Sequence, residues 1–321
     1  MTPEEPAEPA ESLAELGEFA VIDRLVSGQD QPDAVVLGPG DDAAVVRAAD
    51  GRTVVSTDML VEGRHFRLDW STPVDVGRKA IAQNAADIEA MGATPTAFVV
   101  AFGAPGDTAA DDVMALSEGM WQEARAIGAG IAGGDLVSAP QWVLAVTALG
   151  ELGGRDAVVL SGTKPGETLA VCGDLGWSAA GYALWCNDIR DFDEFRRRHL
   201  VPQVPYGSGR AAAEAGATAM TDVSDGLLAD LGHIARASGV GIDVSRAALA
   251  SDRETLAAAA ESANVDPWDW VFGGGEDHAL VATFPGPVPA GWRRIGVVVD
   301  GPPRVLVDGS PWSGSPGWQS F

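Results

Sequence analysis

Apolar and polar positions along the 321-residue chain alternate between two periods, which predict helices and strands over most of its length. Apolar residues recur at spacings of three and four in the predicted helices, residues 13–25, 73–91, 111–127, 178–185, 192–199, 207–215 and 228–237. Short runs rich in β-branched residues predict strands at 34–37, 53–55, 96–102, 142–149, 168–172, 218–223, 279–284, 294–299 and 304–307. The order of these elements predicts an α/β (α+β) protein.

Glycine turns interrupt this pattern between residues 150 and 166. We place a domain boundary near Leu152, so that residues 13–151 and 152–321 each form an α/β domain. Residues 1–12 are rich in Pro, Glu and Ala and lack an apolar core segment, which predicts a disordered tail rather than a signal peptide.

The charge balance limits the partners of the protein. With 46 acidic and 21 basic side chains the formal net charge is −25, which disfavours nucleic acid and anionic membranes and attracts cations. The longest apolar run, residues 97–102, is too short to cross a bilayer. Cys172 and Cys186 lack the spacing of a zinc site, so we expect free thiols in a cytoplasmic protein. An anionic substrate would need metal ions as intermediaries.

Oxygen ligands follow the strand at residues 53–55. Ser56, Thr57 and Asp58 place two hydroxyls and a carboxylate where the strand becomes a loop, and such hard donors suit Mg²⁺. Taken alone, this tripeptide favours a turn cap for Asp58, and its neighbours change that interpretation. Asp87, with Asn84 one turn before it, lies in an alanine-rich helix where an unpaired carboxylate is costly, and this setting favours a metal role.

Two glycine-rich segments carry further carboxylates. Residues 38–43 match a weak dinucleotide pattern, but Asp41 and Asp42 would repel a pyrophosphate, so cation binding is the better interpretation. Residues 128–135 follow a helix, which is the wrong context for a dinucleotide turn. We expect a loop of bare backbone beside Asp135 that phosphate can approach closely.

A further pair of carboxylates, Asp222 and Asp225, lies at a strand-to-helix junction, where helix capping accounts for only one of the two. The candidate carboxylates are Asp42, Asp58, Asp87, Asp135, Asp222 and Asp225. Their mutual repulsion predicts two or more Mg²⁺ ions, and with bare glycine amides this indicates phosphoryl transfer. The chain has no Walker A motif, no protein-kinase signature, no serine-hydrolase elbow and no H-E-x-x-H motif.

Six motifs then resemble, in order, those of the thiamine-monophosphate kinase family. They are Gly40-Asp41-Asp42-Ala43-Ala44, Ser56-Thr57-Asp58 with Glu62-Gly63-x-His65-Phe66, Asn84-x-x-Asp87-x-x-Ala90-Met91-Gly92-Ala93, Gly133-Gly134-Asp135, Asp222-x-Ser224-Asp225-Gly226-Leu227 and Gly273-Gly274-Gly275-Glu276-Asp277. The resemblance spans nearly the whole chain.

This resemblance implies a two-domain fold like that of aminoimidazole ribonucleotide synthetase, with N-terminal strands that close a barrel between the subunits of a homodimer. It implies ATP as donor, thiamine monophosphate as acceptor and direct in-line transfer without a general base. The implied Mg²⁺ ligands are Asp42, Ser56, Thr57, Asp58, Asp87, Asp135, Asp222 and Asp225. The implied ATP contacts are Gly134, Asp135 and Ser224, and the implied contacts to the acceptor are His65, Glu276 and Trp318.

Two positions depart from the family pattern. Leu160 stands where the family has an arginine that contacts ATP, and His278 stands where the family has a tyrosine. Two alternatives therefore stay open: an ATP-dependent enzyme of the aminoimidazole ribonucleotide synthetase type, and a catalytically weakened homologue that only binds cations or nucleotide.

Overall fold

The computed structural model describes residues 11–39 and 43–318, which form a two-stranded, a four-stranded and a six-stranded sheet with helices packed on them. The strands are β1 (Val35–Leu37), β2 (Val45–Val46), β3 (Val54–Val61), β4 (Thr94–Ala104), β5 (Gly130–Ser138), β6 (Val143–Glu151), β7 (Thr168–Cys172), β8 (Ala219–Asp222), β9 (Gly241–Val244), β10 (Leu280–Phe284), β11 (Arg293–Val299) and β12 (Arg304–Val307). The helices are α1 (Leu13–Leu16), α2 (Glu18–Val26), α3 (Pro73–Ala90), α4 (Ala110–Ile127), α5 (Trp177–Cys186), α6 (Asp193–Leu200), α7 (Ser208–Glu214), α8 (Leu227–Ser238), α9 (Ala250–Ala263) and α10 (Pro267–Gly273).

The four-stranded sheet has the order β3-β6-β4-β5, with β4 and β5 parallel and the other pairs antiparallel. Helices α3 and α4 cover one face of it and enclose an apolar core that includes Ile81, Phe98 and Leu144. Helix α3 begins where the Thr72 side chain accepts a hydrogen bond from the backbone N–H of Asp75, which supplies a partner for an otherwise unpaired N–H.

Helices α3 and α4 pack backbone to backbone. A Cβ atom added at Gly77 would lie 2.1 Å from the carbonyl oxygen of Leu116, and one added at Gly119 would lie 2.1 Å from that of Val74. Only glycine permits this approach, which holds α3 close to α4 and thereby fixes the position of α3 over the sheet.

The six-stranded sheet has the order β12-β9-β11-β7-β10-β8, in which only β12 and β9 are parallel. The apolar core on one of its faces includes Leu184 of α5, Ile234 of α8, Leu256 of α9 and Phe272 of α10. The core on the other face includes Ala212 of α7 and Ala90 at the end of α3. Strand β8 therefore ends, at Asp222, close to the helix that also covers the four-stranded sheet.

The predicted loop at residues 128–135 is wrong, because Gly130 to Ser138 form strand β5 parallel to β4. Glycine is a poor strand former, but β4 supplies a complete hydrogen-bonding partner and tertiary pairing overrides that preference. The predicted helix 13–25 is divided at Gly17, whose φ of 77° is not helical. Of the predicted tail, residues 1–10 lie outside the described ranges, whereas Ser12 caps α1.

Within residues 11–39 and 43–318, every helix is too short or too polar to cross a membrane.

Candidate active site

Strand β3 and helix α3 bring four polar side chains together. Ser56 Oγ donates a 2.6 Å hydrogen bond to Asp87 Oδ2, and the backbone N–H of Asp58 donates to Asn84 Oδ1 at 3.1 Å. Strand alternation points Ser56 and Asp58 to the same face, and the spacing of three places Asn84 and Asp87 on the side of α3 that meets them. The predicted association of these residues is present in the structure.

The C-terminal half of the chain brings Asp222 and Asp225 to the same place. Burial raises the pKa of Asp87 to about 7, and the charges of Asp222 and Asp58 act in the same direction. Burial also raises the pKa of Asp225, where His233 opposes the rise and Asp222 and Asp58 add to it. Carboxylates from both halves thus crowd one site, and the charges of Asp58 and Asp222 disfavour the ionised forms of Asp87 and Asp225.

The loop before α8 is held by a residue that the sequence did not reveal. Oδ2 of Asp230 accepts hydrogen bonds from the backbone N–H groups of Ser224, Asp225 and Gly226 at 3.0, 3.1 and 3.0 Å. Burial raises the pKa of Asp230 to about 7. Its carboxyl group fixes the loop that carries Ser224 and Asp225, in the manner of a helix cap placed in the first turn.

Residues 276–278 form a turn with unusual backbone angles. Glu276 and His278 have φ values of 61° and 53°, which non-glycine residues seldom adopt. The turn is held by backbone hydrogen bonds from Glu276 N to Ser224 O at 2.8 Å and from His278 N to Val223 O at 2.9 Å. It therefore lies directly against the loop that carries the candidate metal ligands.

Two side chains of this turn, Asp277 and His278, also make hydrogen bonds that hold it in place. Asp277 accepts hydrogen bonds from the backbone N–H groups of Gly176 and Ser178 at the start of α5, and its burial raises its pKa to about 7. His278 Nδ1 lies 2.9 Å from Asp222 Oδ2. Burial opposes protonation of His278, but the hydrogen bond and the charge of Asp222 outweigh it and raise the pKa. His278 thus orients a candidate metal ligand.

Lys79 connects the two halves of the chain. Its side chain, from α3, is nearly inaccessible, and Nζ donates to His65 O at 2.9 Å, His199 O at 3.2 Å and Glu276 Oε2 at 3.2 Å. Burial acts to raise the pKa of Glu276, but the charge of Lys79 outweighs it and the pKa is lowered. His65 and Glu276 are two of the residues predicted to contact thiamine monophosphate, and both therefore have Lys79 as a neighbour.

The C-terminal segment is held against the same loop. The backbone N–H of Trp318 donates to Asp225 O at 2.8 Å, and Pro316 O accepts from Ala229 N at 3.0 Å. The Trp318 side chain is 66% exposed, whereas Trp312 packs edge-on against Phe272 at 4.8 Å. Trp312 thus packs on its own domain, whereas the Trp318 side chain is exposed beside the site.

Thr57 and Asp135 are not brought into the cluster within the described chain. Thr57 Oγ1 donates to Val146 O at 3.0 Å, because strand alternation turns it away from Ser56 and Asp58. Asp135 lies on β5, three strands from β3 and so about 14 Å away.

Three further predictions have different outcomes. Ser224 lies in the loop beside Asp225, where its backbone N–H donates to Asp230 Oδ2. Gly134 has a packing reason to be glycine, because a Cβ atom there would lie 2.0 Å from Val100 O. Asp42 lies outside the described residues.

Sequence reasoning also missed two anchors that have weak signals in the chain. Lys79, Gln83 and Asp87 recur at a spacing of four, which marks a polar stripe on an otherwise apolar helix. Asp230 falls in the first turn of α8, where carboxylates interact well with free backbone N–H groups.

This chain is similar to known proteins over most of its length. Residues 40–152 match the family model described as AIR synthase related protein, N-terminal domain, and residues 164–283 match the corresponding C-terminal domain. Thiamine-monophosphate kinase of Mycobacterium tuberculosis is 71% identical over 310 residues, covering 97% of this chain and 93% of the relative. The Corynebacterium glutamicum enzyme of the same name is 45% identical over 320 residues, covering 97% and 95%.

Among solved structures, one described as AaThiL complexed with AMPPCP and TMP is similar with a TM-score of 0.78 and 29% identity. The similarity covers 98% of this chain and 100% of that one. The fold is thus the two-part AIR synthase related architecture. The chain belongs to the AIR synthase related proteins and, within them, to the thiamine-monophosphate kinase family.

Proposed function

We propose that this protein transfers the terminal phosphoryl group of ATP to thiamine monophosphate and so forms thiamine diphosphate. The observation that carries the proposal is the meeting of Ser56, Asp58 and Asp87 with Asp222 beside the turn that holds Glu276. A relative with 71% identity bears the name of this activity, and a similar structure holds an ATP analogue together with a ligand abbreviated TMP.

The donor set suits Mg²⁺. Ser56, Asp58, Asp87, Asp222 and Asp225 offer only hard oxygen atoms, and the raised pKa values of Asp87 and Asp225 reflect burial first and then the negative charges of Asp222 and Asp58. These residues would hold the ions, and Asp42 is a further proposed ligand, whereas Thr57 and Asp135 lie away from this cluster. Bound Mg²⁺ would neutralise phosphate charge and align donor and acceptor.

Residues around the cluster supply orientation rather than proton transfer. Glu276, His65 and Trp318 would contact the thiamine moiety or its phosphate, where a carboxylate and an indole face both favour the cationic thiazolium ring. Ser224, Gly134 and Asp135 would contact ATP. The acceptor phosphate is already ionised near neutral pH, so in-line attack requires no general base.

We further propose a homodimer and the two domains 13–151 and 152–321. The face of the four-stranded sheet opposite α3 and α4 exposes Val55, Met59 and Val137, at 58%, 54% and 53%, and exposed apolar patches of this kind mark interfaces. A second copy would cover them by closing a barrel. Cys172 and Cys186 are free thiols, which suits a cytoplasmic enzyme.

A coupled assay for thiamine diphosphate with purified protein, ATP and Mg²⁺ tests the activity. Calorimetry with a non-hydrolysable ATP analogue and Mg²⁺, with and without thiamine monophosphate, separates the alternatives. A kinase binds both ligands, a weakened homologue binds nucleotide or cation without turnover, and an enzyme of the aminoimidazole ribonucleotide synthetase type binds ATP but not thiamine monophosphate. Absence of product from a folded, ATP-binding protein would overturn the proposal.

A further inference from the structure

Lys79 is a buried cation without a free donor. Its side chain is 2% exposed, and its three N–H bonds meet three acceptors, one from the turn after β3, one from the end of α6 and one from Glu276. An ammonium group satisfied in this way has no hydrogen left for a substrate. Lys79 can therefore influence substrate binding only through the groups that it contacts.

Glu276 needs such a neighbour. Its backbone has a φ of 61°, and its side chain is 34% exposed, so neither backbone preference nor close packing alone holds the carboxylate in place. Lys79 Nζ donates to Oε2 at 3.2 Å and His199 Nδ1 lies 3.5 Å from the same oxygen, whereas no donor among the described residues contacts Oε1. One oxygen of Glu276 is thus held while the other stays free for a ligand.

Helix α3 connects this contact to the metal end of the site. Lys79 and Asp87 lie eight residues apart on one helix, which separates them by about 12 Å along its axis. The close glycine contacts with α4 and the hydrogen bond from Ser56 to Asp87 hold the helix in place. A single rigid element therefore relates the Glu276 carboxylate, in the C-terminal half, to a candidate metal ligand in the N-terminal half.

We infer that Lys79 is a positioning residue for the acceptor: its ammonium group holds Glu276 and the carbonyl of His65 at a set distance from the phosphoryl-transfer centre. The inference rests on the proposed function and deepens it, because it assigns a determinant of thiamine monophosphate binding to a residue that does not touch the substrate. ATP, which binds at the metal end, should be little affected by its loss.

The test measures Michaelis constants for both substrates in Lys79→Met, which keeps the length and apolar stem of the side chain. We expect the KM for thiamine monophosphate to rise roughly ten- to hundredfold, the factor expected when a charge-assisted hydrogen bond is lost, with the KM for ATP within about twofold. Lys79→Arg retains the charge and should recover part of the loss, which also keeps the test decisive if Lys79→Met folds poorly.

Arg78→Met is the matched control, since Arg78 neighbours Lys79 on α3 and pairs with Glu123 of α4 at 3.0 Å, outside the site. It should leave both Michaelis constants unchanged. A double-mutant cycle adds a second test: in a Glu276→Gln background, Lys79→Met should raise the KM for thiamine monophosphate much less than it does alone.

The two proposals fail in different ways. An active wild type whose Lys79→Met variant keeps its KM for thiamine monophosphate, or loses affinity for ATP equally, overturns the positioning role alone. A folded wild type that makes no thiamine diphosphate overturns the proposed function and this inference with it.

Discussion

Ser56 Oγ donates a 2.6 Å hydrogen bond to Asp87 Oδ2, and this contact joins β3 to α3 at the point where carboxylates from both halves of the chain meet. A hydroxyl donor partly compensates the negative charge of Asp87, but Asp58 and Asp222 still repel it. Asp87 is therefore placed for a cation at a cost to the stability of the cation-free protein.

Asp87→Asn should lower kcat by about a hundredfold or more, because one charged oxygen ligand is lost at the transfer centre. Without Mg²⁺ the melting temperature should hold or rise, since like-charge repulsion is relieved. Steady-state kinetics and thermal unfolding in EDTA measure the two effects. Glu118→Gln, at an exposed position of α4, is the control that should change neither. A variant that melts much earlier and keeps its turnover would make Asp87 a structural residue.

Trp318→Ala should raise the KM for thiamine monophosphate about two- to thirtyfold, the range expected for an indole face against a cationic ring. The KM for ATP and the melting temperature should barely move, because the side chain is 66% exposed and buries little surface. The acceptor should also quench Trp emission in the wild type more than in the variant. If the KM for thiamine monophosphate is unchanged in Trp318→Ala, residues other than Trp318 recognise the thiamine rings.

The His199 side chain should make the protein less stable in weak acid. Burial lowers its pKa to about 4, with the charge of Lys79 acting in the same direction and that of Glu276 opposing it, from an ordinary value of 6.5. Between these values the unfolded chain takes up a proton that the folded chain does not. The stability present above pH 6.5 should therefore fall as the pH drops, by about 3 kcal/mol near pH 4.

Urea unfolding at pH 8, 6 and 5 measures this effect as the difference between wild type and His199→Asn, which should lose less stability in acid. The control is Gln122→Asn, which changes no titratable group at an exposed position of α4 and should keep the wild-type slope. Identical pH slopes for wild type and His199→Asn would assign the acid sensitivity to other groups.

Gly119→Ala should destabilise the fold by about 1–3 kcal/mol, although alanine is the better helix former, because its Cβ would overlap the carbonyl of Val74 and push α3 from α4. Gly232→Ala in α8 meets only the flexible end of Arg236 and should instead stabilise by about 0.5–1 kcal/mol. Chemical denaturation of both variants supplies the comparison. Equal effects of the two substitutions would argue against tight contact between α3 and α4.

Val55→Glu should convert the proposed dimer to a monomer, because it places a charge in the apolar face that a second copy would cover. Analytical ultracentrifugation over a range of protein concentrations measures the change. Val297→Glu, at an exposed apolar position of β11, should leave the assembly intact. A wild type that sediments as a monomer at every concentration would overturn the dimer.

Local chemistry was sufficient for much of this site. The apolar spacing and the Thr72 cap define α3, and the β-branched run before Ser56 marks the start of β3, because both signals act between residues close in sequence. The predicted loop at Ser56 is wrong, because pairing with β6 extends β3 to Val61. The order of the acidic motifs then indicated the family and the type of reaction.

The tertiary structure decided what depends on distant partners. Strand β5 forms from a glycine-rich segment because β4 pairs with it, and the same register places Asp135 far from Asp58. Lys79 finds its three acceptors only when α3 meets α6 and the Glu276 turn, 120 and 197 residues away for two of them. No local pattern encodes such contacts, since the free energy of a buried charge depends on which groups the folded chain brings around it.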